Sequence, residues 1–109
     1  MKRIYLCSPY SDPDPEVRRL RYQEVCRIAA DLMMGNMDLL VFSPIAHSHG
    51  MAVHGHLPGD YNFWMKIDEQ WISWADEVWV ADMIGRGESK GIIMEIEYAI
   101  ETGKPVVWL

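Results

Sequence analysis

Apolar residues along the chain fall into two alternating patterns, short continuous runs and longer stretches with a period near 3.6. Ile4-Tyr5-Leu6-Cys7 is a short run that ends in Ser8-Pro9-Tyr10-Ser11-Asp12-Pro13-Asp14-Pro15, where three prolines forbid regular structure. Asp14 as N-cap and Pro15 at the first helical position then open a helix. Val17, Leu20, Val25, Ile28, Ala29 and Leu32 predict its inward face, with Arg18, Arg19 and Glu24 mostly toward water, and Gly35-Asn36 ends it. Leu39-Leu40-Val41-Phe42 is apolar without a break, as in a strand covered on both faces. Strand, helix and strand at this length make a βαβ unit with a right-handed crossover.

From Ser43 to Asp60 no convincing period is present. This stretch holds Pro44, Pro58, three glycines and all four histidines, His47, His49, His54 and His56, and reads as a long polar loop or lid. Periodicity returns from Tyr61 to Ala75, with Phe63, Trp64, Ile67, Trp71, Trp74 and Ala75 on one helical face, Asp68 at its edge and Glu69 nearly opposite. Glu77 to Ala81 predicts a third strand, and Gly85-Arg86-Gly87-Glu88-Ser89-Lys90-Gly91 hands over to a last helix that buries Ile92, Ile93, Ile96, Ala99 and Ile100. Gly103-Lys104-Pro105 stops that helix, and Val106 to Leu109 is a fourth strand. The alternation implies a single α/β domain, residues 1–109, in a flavodoxin- or Rossmann-like three-layer sandwich around a parallel sheet of about four strands.

Composition narrows the partners. At 109 residues the chain can build one core but not a catalytic domain plus a separate substrate domain. A net charge of −6 disfavours a nucleic-acid polymer, while a small anion needs only a few local N–H groups. Cys7 and Cys26 read as buried free thiols. No signal peptide opens the chain, and no apolar run approaches the roughly 20 residues that span a bilayer, so the expected setting is the cytoplasm with no membrane partner. The two His-x-His pairs lack the carboxylate or thiolate that completes a usual site, so no metal and no other cofactor is expected.

In a sheet of this kind ligands bind outside the carboxyl ends of the strands. Ser8, Pro9 and Tyr10 follow the first strand, Ser43 and His47 the second, and Ser89 and Gly91 lie in the turn after the third, where free N–H groups suit an anion or a sugar. Asp68 and Glu95 approach the same edge from helices. Periodicity does not separate Glu95 from Glu97, which flank the same apolar stripe on opposite sides.

Several of these segments together carry a resemblance. Tyr5 in Ile-Tyr-Leu-Cys-Ser-Pro, Phe-Ser-Pro-Ile after the second strand, Asp68 eight residues before Asp76, Ser89-x-Gly91-x-x-x-Glu95, and Ala99-x-x-x-Gly103-Lys104-Pro105-Val106 resemble the nucleoside 2-deoxyribosyltransferase-like superfamily over nearly the whole chain. That superfamily includes nucleoside 5′-monophosphate N-glycosidases and many short bacterial and phage proteins, and the chain looks most like the latter. The resemblance implies an enzyme, an N-glycosidase or deoxyribosyltransferase acting on a nucleoside 5′-monophosphate or deoxynucleoside. Glu95 would be the nucleophile that forms a covalent glycosyl intermediate, Asp68 the acid for the departing base, and Tyr5 the hydroxyl that orients the carboxylate or the sugar.

Where the transferases tend to have a carboxylate six residues before the nucleophile, the monophosphate hydrolases have serine. Ser89 occupies that position with Arg86 and Lys90 beside it, which favours a nucleotide. Those hydrolases also carry Gly-Ser-x-Arg after the first strand, whereas Ser8-Pro9-Tyr10-Ser11 lacks the arginine and leaves Arg18, Arg19 or Arg21 as replacements. Characterised members complete the pocket with a segment past the fourth strand, often from a neighbouring subunit, so a homo-oligomer is expected. The alternative is a non-catalytic nucleotide-binding or sensor module on the same fold.

Overall fold

The apolar runs form one four-stranded parallel sheet in a computed structural model that describes residues 1–109. In chain order the elements are β1 (Lys2–Cys7), α1 (Pro15–Gly35), β2 (Leu39–Phe42), α2 (Pro44–Gly55), α3 (Tyr61–Trp74), β3 (Glu77–Val80), α4 (Lys90–Glu101) and β4 (Val106–Trp108), with a single 3₁₀ turn at Arg86–Glu88 before α4. The sheet order is β2-β1-β3-β4. Tyr5 lies opposite Phe42 of β2 and Val78 of β3, and Val78 lies opposite Val106 of β4. The expected α/β sandwich is therefore the observed one.

Alternation along the strands divides the core between two faces. Tyr5, Cys7, Val78 and Val80 pack with Ile72 and Ala75 from the α3 side and with Ile92 and Ala99 of α4. Leu6, Ala81 and Met83 turn to the opposite face and meet Val25 of α1. Each fully buried aliphatic side chain here contributes about 1.5–3 kcal/mol relative to exposure. No helix is long and apolar enough to cross a membrane.

Four expectations need correction. Most of the stretch read as a loop from Ser43 to Asp60 is helix α2, with Ser43 as its N-cap and Pro44 at its start. The Ser43 hydroxyl accepts the Ala46 N–H at 3.0 Å, and His56, in the left-handed conformation at φ 54, ends it. Only Pro44 is buried in α2. A helix that rests on its neighbours with so little apolar surface writes no clear stripe, and Gly50 and Gly55 inside it read as breakers.

In α1 only Val25 is fully buried, Leu20 is half exposed, and Arg18 is half buried rather than solvated. In α3 the inward line runs through Trp64, Asp68 and Ile72 to Ala75, which leaves Phe63 and Ile67 more exposed than the sequence stripe implied. In α4 the buried residues are Ile92, Glu95 and Ala99, while Ile93 and Ile100, read as core, face out, Ile100 being 68% exposed.

Candidate functional site

The order β2-β1-β3-β4 reverses direction between β1 and β3, and the crevice outside their carboxyl ends is where such sheets bind ligands. Three elements bring polar side chains there. Tyr5 projects from β1 toward the α3 and α4 side. Asp68 comes from α3, whose N-cap Asp60 accepts the Asn62 N–H at 2.7 Å. Glu95 comes from α4, where the Ser89 hydroxyl accepts the Ile92 N–H at 3.3 Å and starts the helix so that positions 92, 95 and 99 share the inner face.

That phase separates the two glutamates which periodicity left equivalent. Glu95 is 6% exposed, and Glu97 is exposed. A stripe drawn through Ile93 and Ile100 is rotated away from the true inner face, and this rotation made the pair look symmetric.

Glu95 and Asp68 line a cleft of about 520 Å³ together with Ser8, Tyr10, Ser89 and Gly91. Burial pushes the Glu95 carboxyl up to about 8, with the Asp68 charge adding to the rise. Burial likewise raises Asp68 to about 6. The Tyr5 hydroxyl favours the ionised form of both carboxyls, yet it completes a hydrogen bond of ordinary geometry with neither, so burial sets both directions. Tyr5 Oη, Ser8 Oγ and Glu95 Oε2 are all buried and have no hydrogen-bond partner in the protein. Unpaired buried polar atoms are costly, and two of these three, Ser8 Oγ and Glu95 Oε2, belong to residues that line the cleft, where a polar ligand could satisfy them. Gly91 keeps the approach open, because a Cβ there would stand 3.8 Å from Glu95 Oε1.

At its other end the cleft holds Tyr10, an expected contact, and Arg18, one of the three candidate replacement arginines, and adds His49 of α2, which the sequence did not mark as a contact. The Tyr10 hydroxyl and His49 Nδ1 are 2.7 Å apart, and the His49 ring stacks on Tyr22 at 4.2 Å. Burial first, and then the Arg18 charge, lower the His49 pKa, which favours the neutral ring at pH 7. Once Ser43-Pro44 is taken as a helix start, Ile45, Ser48, His49 and Ala52 fall on one face at helical spacing, and all four line the cleft.

The remaining expected contacts lie elsewhere. Ser43 is occupied in capping α2 and lines no part of the cleft. His47 is exposed, beside Phe42 and Trp71, with Nδ1 3.1 Å from the Ser48 hydroxyl. Pro9 is fully buried and lines a neighbouring cavity. Arg86 is committed to the end of the sheet, where it donates to the carbonyls of Ala81 at 3.3 Å and Leu109 at 2.8 Å and covers the Trp108 ring. Arg19 pairs with Glu16 on the surface.

Residues 2–109 match the family described as Domain of unknown function (DUF1937). The chain belongs to that family. No curated protein matches it. In this DUF1937 domain no three His, Cys, Asp or Glu side chains converge as a metal ion would require. The DUF1937 cleft instead offers one buried and one half-buried carboxyl that hold one proton between them near neutrality, with a tyrosine hydroxyl beside both. Such a pair can give a proton to one atom while presenting negative charge to another.

Proposed function

We propose that this protein is an enzyme that cleaves or exchanges the N-glycosidic bond of a nucleoside 5′-monophosphate or deoxynucleoside. One observation carries the reading: Glu95, buried, and Asp68, half-buried, both raised in pKa, share a cleft at the switch point of the sheet, with the Tyr5 hydroxyl beside both carboxyls. The resemblance to the nucleoside 2-deoxyribosyltransferase-like superfamily supplies the substrate class.

The Glu95 carboxylate attacks C1′, and the C1′–N bond breaks with its electron pair leaving on the base. Positive charge grows on the sugar ring in the transition state, and Glu95 stabilises it before trapping C1′ as an ester. Asp68 gives its proton to the departing nitrogen. Water then attacks C1′, Glu95 leaves as carboxylate, and the water proton returns to Asp68, the division of labour used by retaining glycosidases. A second base in place of water makes the same sequence a transfer.

In the free protein the proton resides preferentially on Glu95, since its pKa is the higher of the two. Substrate must therefore shift it to Asp68, and hydrogen bonds from sugar hydroxyls to Glu95 act in that direction. This same preference favours the second reading, a nucleotide-binding module in which neutral Glu95 only donates to its ligand.

Incubation with a panel of nucleoside monophosphates and deoxynucleosides, followed by chromatography for free base, separates the two. Release from at least one member, lost in Glu95→Gln and kept in Glu97→Gln, is the expected result. Binding without release from any member leaves the module. Exposed Phe63 and Ile67 on α3 and Ile93 and Ile100 on α4 support a homo-oligomer, which light scattering would register as a mass above 12.6 kDa.

A further inference from the structure

A second cavity, of about 340 Å³, opens beside the cleft, and the two share Ser11, Asp12, Tyr61 and Ser89 as walls. Ser8 lines the first and its neighbour Pro9 the second, so the start of the β1 loop separates them. Ser8 Oγ, in a residue only 5% exposed, has no partner and borders this junction.

The cations of the chain are distributed unevenly around this pair of cavities. Of ten Lys and Arg residues, Lys2, Arg3, Arg19 and Arg86 are held in ion pairs, and Lys104 donates to the carbonyls of Ser73 and Ala75. Of the five left, Arg18 lines the cleft and Arg21 and Lys90 line the second cavity. In a chain with a net charge of −6, these three cations, none with a carboxylate partner although Arg18 and Arg21 donate to the carbonyls of Asp12 and Ser11, gather around one trough and suit an anion longer than one phosphate. Arg21 is fixed in place, donating to Ser11 O at 3.0 Å and lying against Gly85, where a Cβ would come within 3.0 Å of its guanidinium. Lys90 sits over the Tyr61 ring at the first turn of α4, whose dipole also favours negative charge. The carboxylates of Asp12 and Glu88 line the cavity as well, so only a ligand that reaches both cations gains by entering.

We propose that the ligand of this site is a nucleoside 5′-diphosphate, or a nucleotide with a longer phosphate chain, whose first phosphate lies by Ser89 and whose second enters between Arg21 and Lys90. The proposal rests on reading the cleft as a nucleotide site. Calorimetric titration in magnesium-free buffer with matched mono- and diphosphates of the common nucleosides, and with inorganic phosphate against pyrophosphate, tests it. The diphosphate of a base that binds, and pyrophosphate, should each bind roughly tenfold tighter than the single-phosphate partner, a factor that two charge-assisted contacts readily supply. Lys90→Gln and Arg21→Gln should each cut that ratio, and Glu88→Gln should raise it. Lys90 and Glu88 are exposed, so those variants test the contact without disturbing the fold. Equal affinity for mono- and diphosphates, or a ratio unmoved in both cation variants, overturns the proposal and leaves the nucleotide reading intact. Absence of binding by every nucleoside, monophosphate and diphosphate overturns both.

Discussion

Glu95 carries opposite consequences for stability and for chemistry. Its folded-state pKa lies near 8 against an ordinary 4.5, so between those values the folded chain binds a proton that the unfolded chain has lost. Stability therefore falls as pH rises through that window, with Asp68 adding a smaller loss between about 4 and 6. Glu95→Gln removes this burden. The variant should melt higher than the parent at pH 8 by roughly 5–10 °C, and the gain should vanish near pH 4, as thermal scans at the two pH values would register.

The proposed mechanism needs the pair singly protonated, so under it the rate of base release should follow a bell with limbs near 6 and 8 in the free protein. Because the Asp68 charge raises Glu95, Asp68→Asn should move the limb belonging to Glu95 to lower pH as well as slow base release. Gly91→Ala tests access. It places a methyl 3.8 Å from Glu95 Oε1 without a clash, so the fold should be kept or slightly strengthened while base release drops at least tenfold. At this scale the sequence carried residue types and spacing but not phase. Asp68 and Glu95 were readable as candidates, whereas the choice over Glu97 and the presence of Arg18 in the cleft depended on helix rotations of tens of degrees.

Among the elements, the strands were legible as apolar runs, and α1, α3 and α4 as stretches with apolar residues at helical spacing. Helix α2 was not, because its inner face is made largely of Ser48, His49, Ala52 and Ile45, which bury little apolar area. Its helical state has a direct check. A Cβ at Gly50 meets nothing within 4 Å, so Gly50→Ala should stabilise the protein by about 0.5–1 kcal/mol in denaturant titration, the helix-interior difference between the two residues. Gly85 behaves in the opposite way. At φ 91 it holds the turn that carries Arg86 back to the end of β4, and Gly85→Ala should lower the denaturation midpoint because only glycine takes that conformation without strain.

For the whole molecule, apolar strand runs alternating with helices were enough to predict a parallel sheet, but not its order. The order came from tertiary packing, in which β1 lies between β2 and β3, and this position makes the crevice. Arg3 and Asp76 tie the start of β1 to the start of β3 with a 3.0 Å ion pair and a backbone bond of 2.8 Å, and that pairing holds Asp76 down to about 2. The support of this link is present above an ordinary aspartate pKa and is lost as pH falls through the folded value, so it acts on the acid side of the stability curve, opposite to Glu95.

The switch point also makes the cleft a seam between two halves of the polypeptide. One wall, with Ser8, Tyr10, Arg18 and His49, is encoded before residue 56, and the other, with Tyr61, Asp68, Ser89 and Glu95, after residue 60. A chain cut in the loop between them yields fragments of which neither possesses the pocket. A ligand that touches both walls then works as a stitch across the cut, recovering a binding signal only when the two pieces are mixed and drawing them together as its concentration rises.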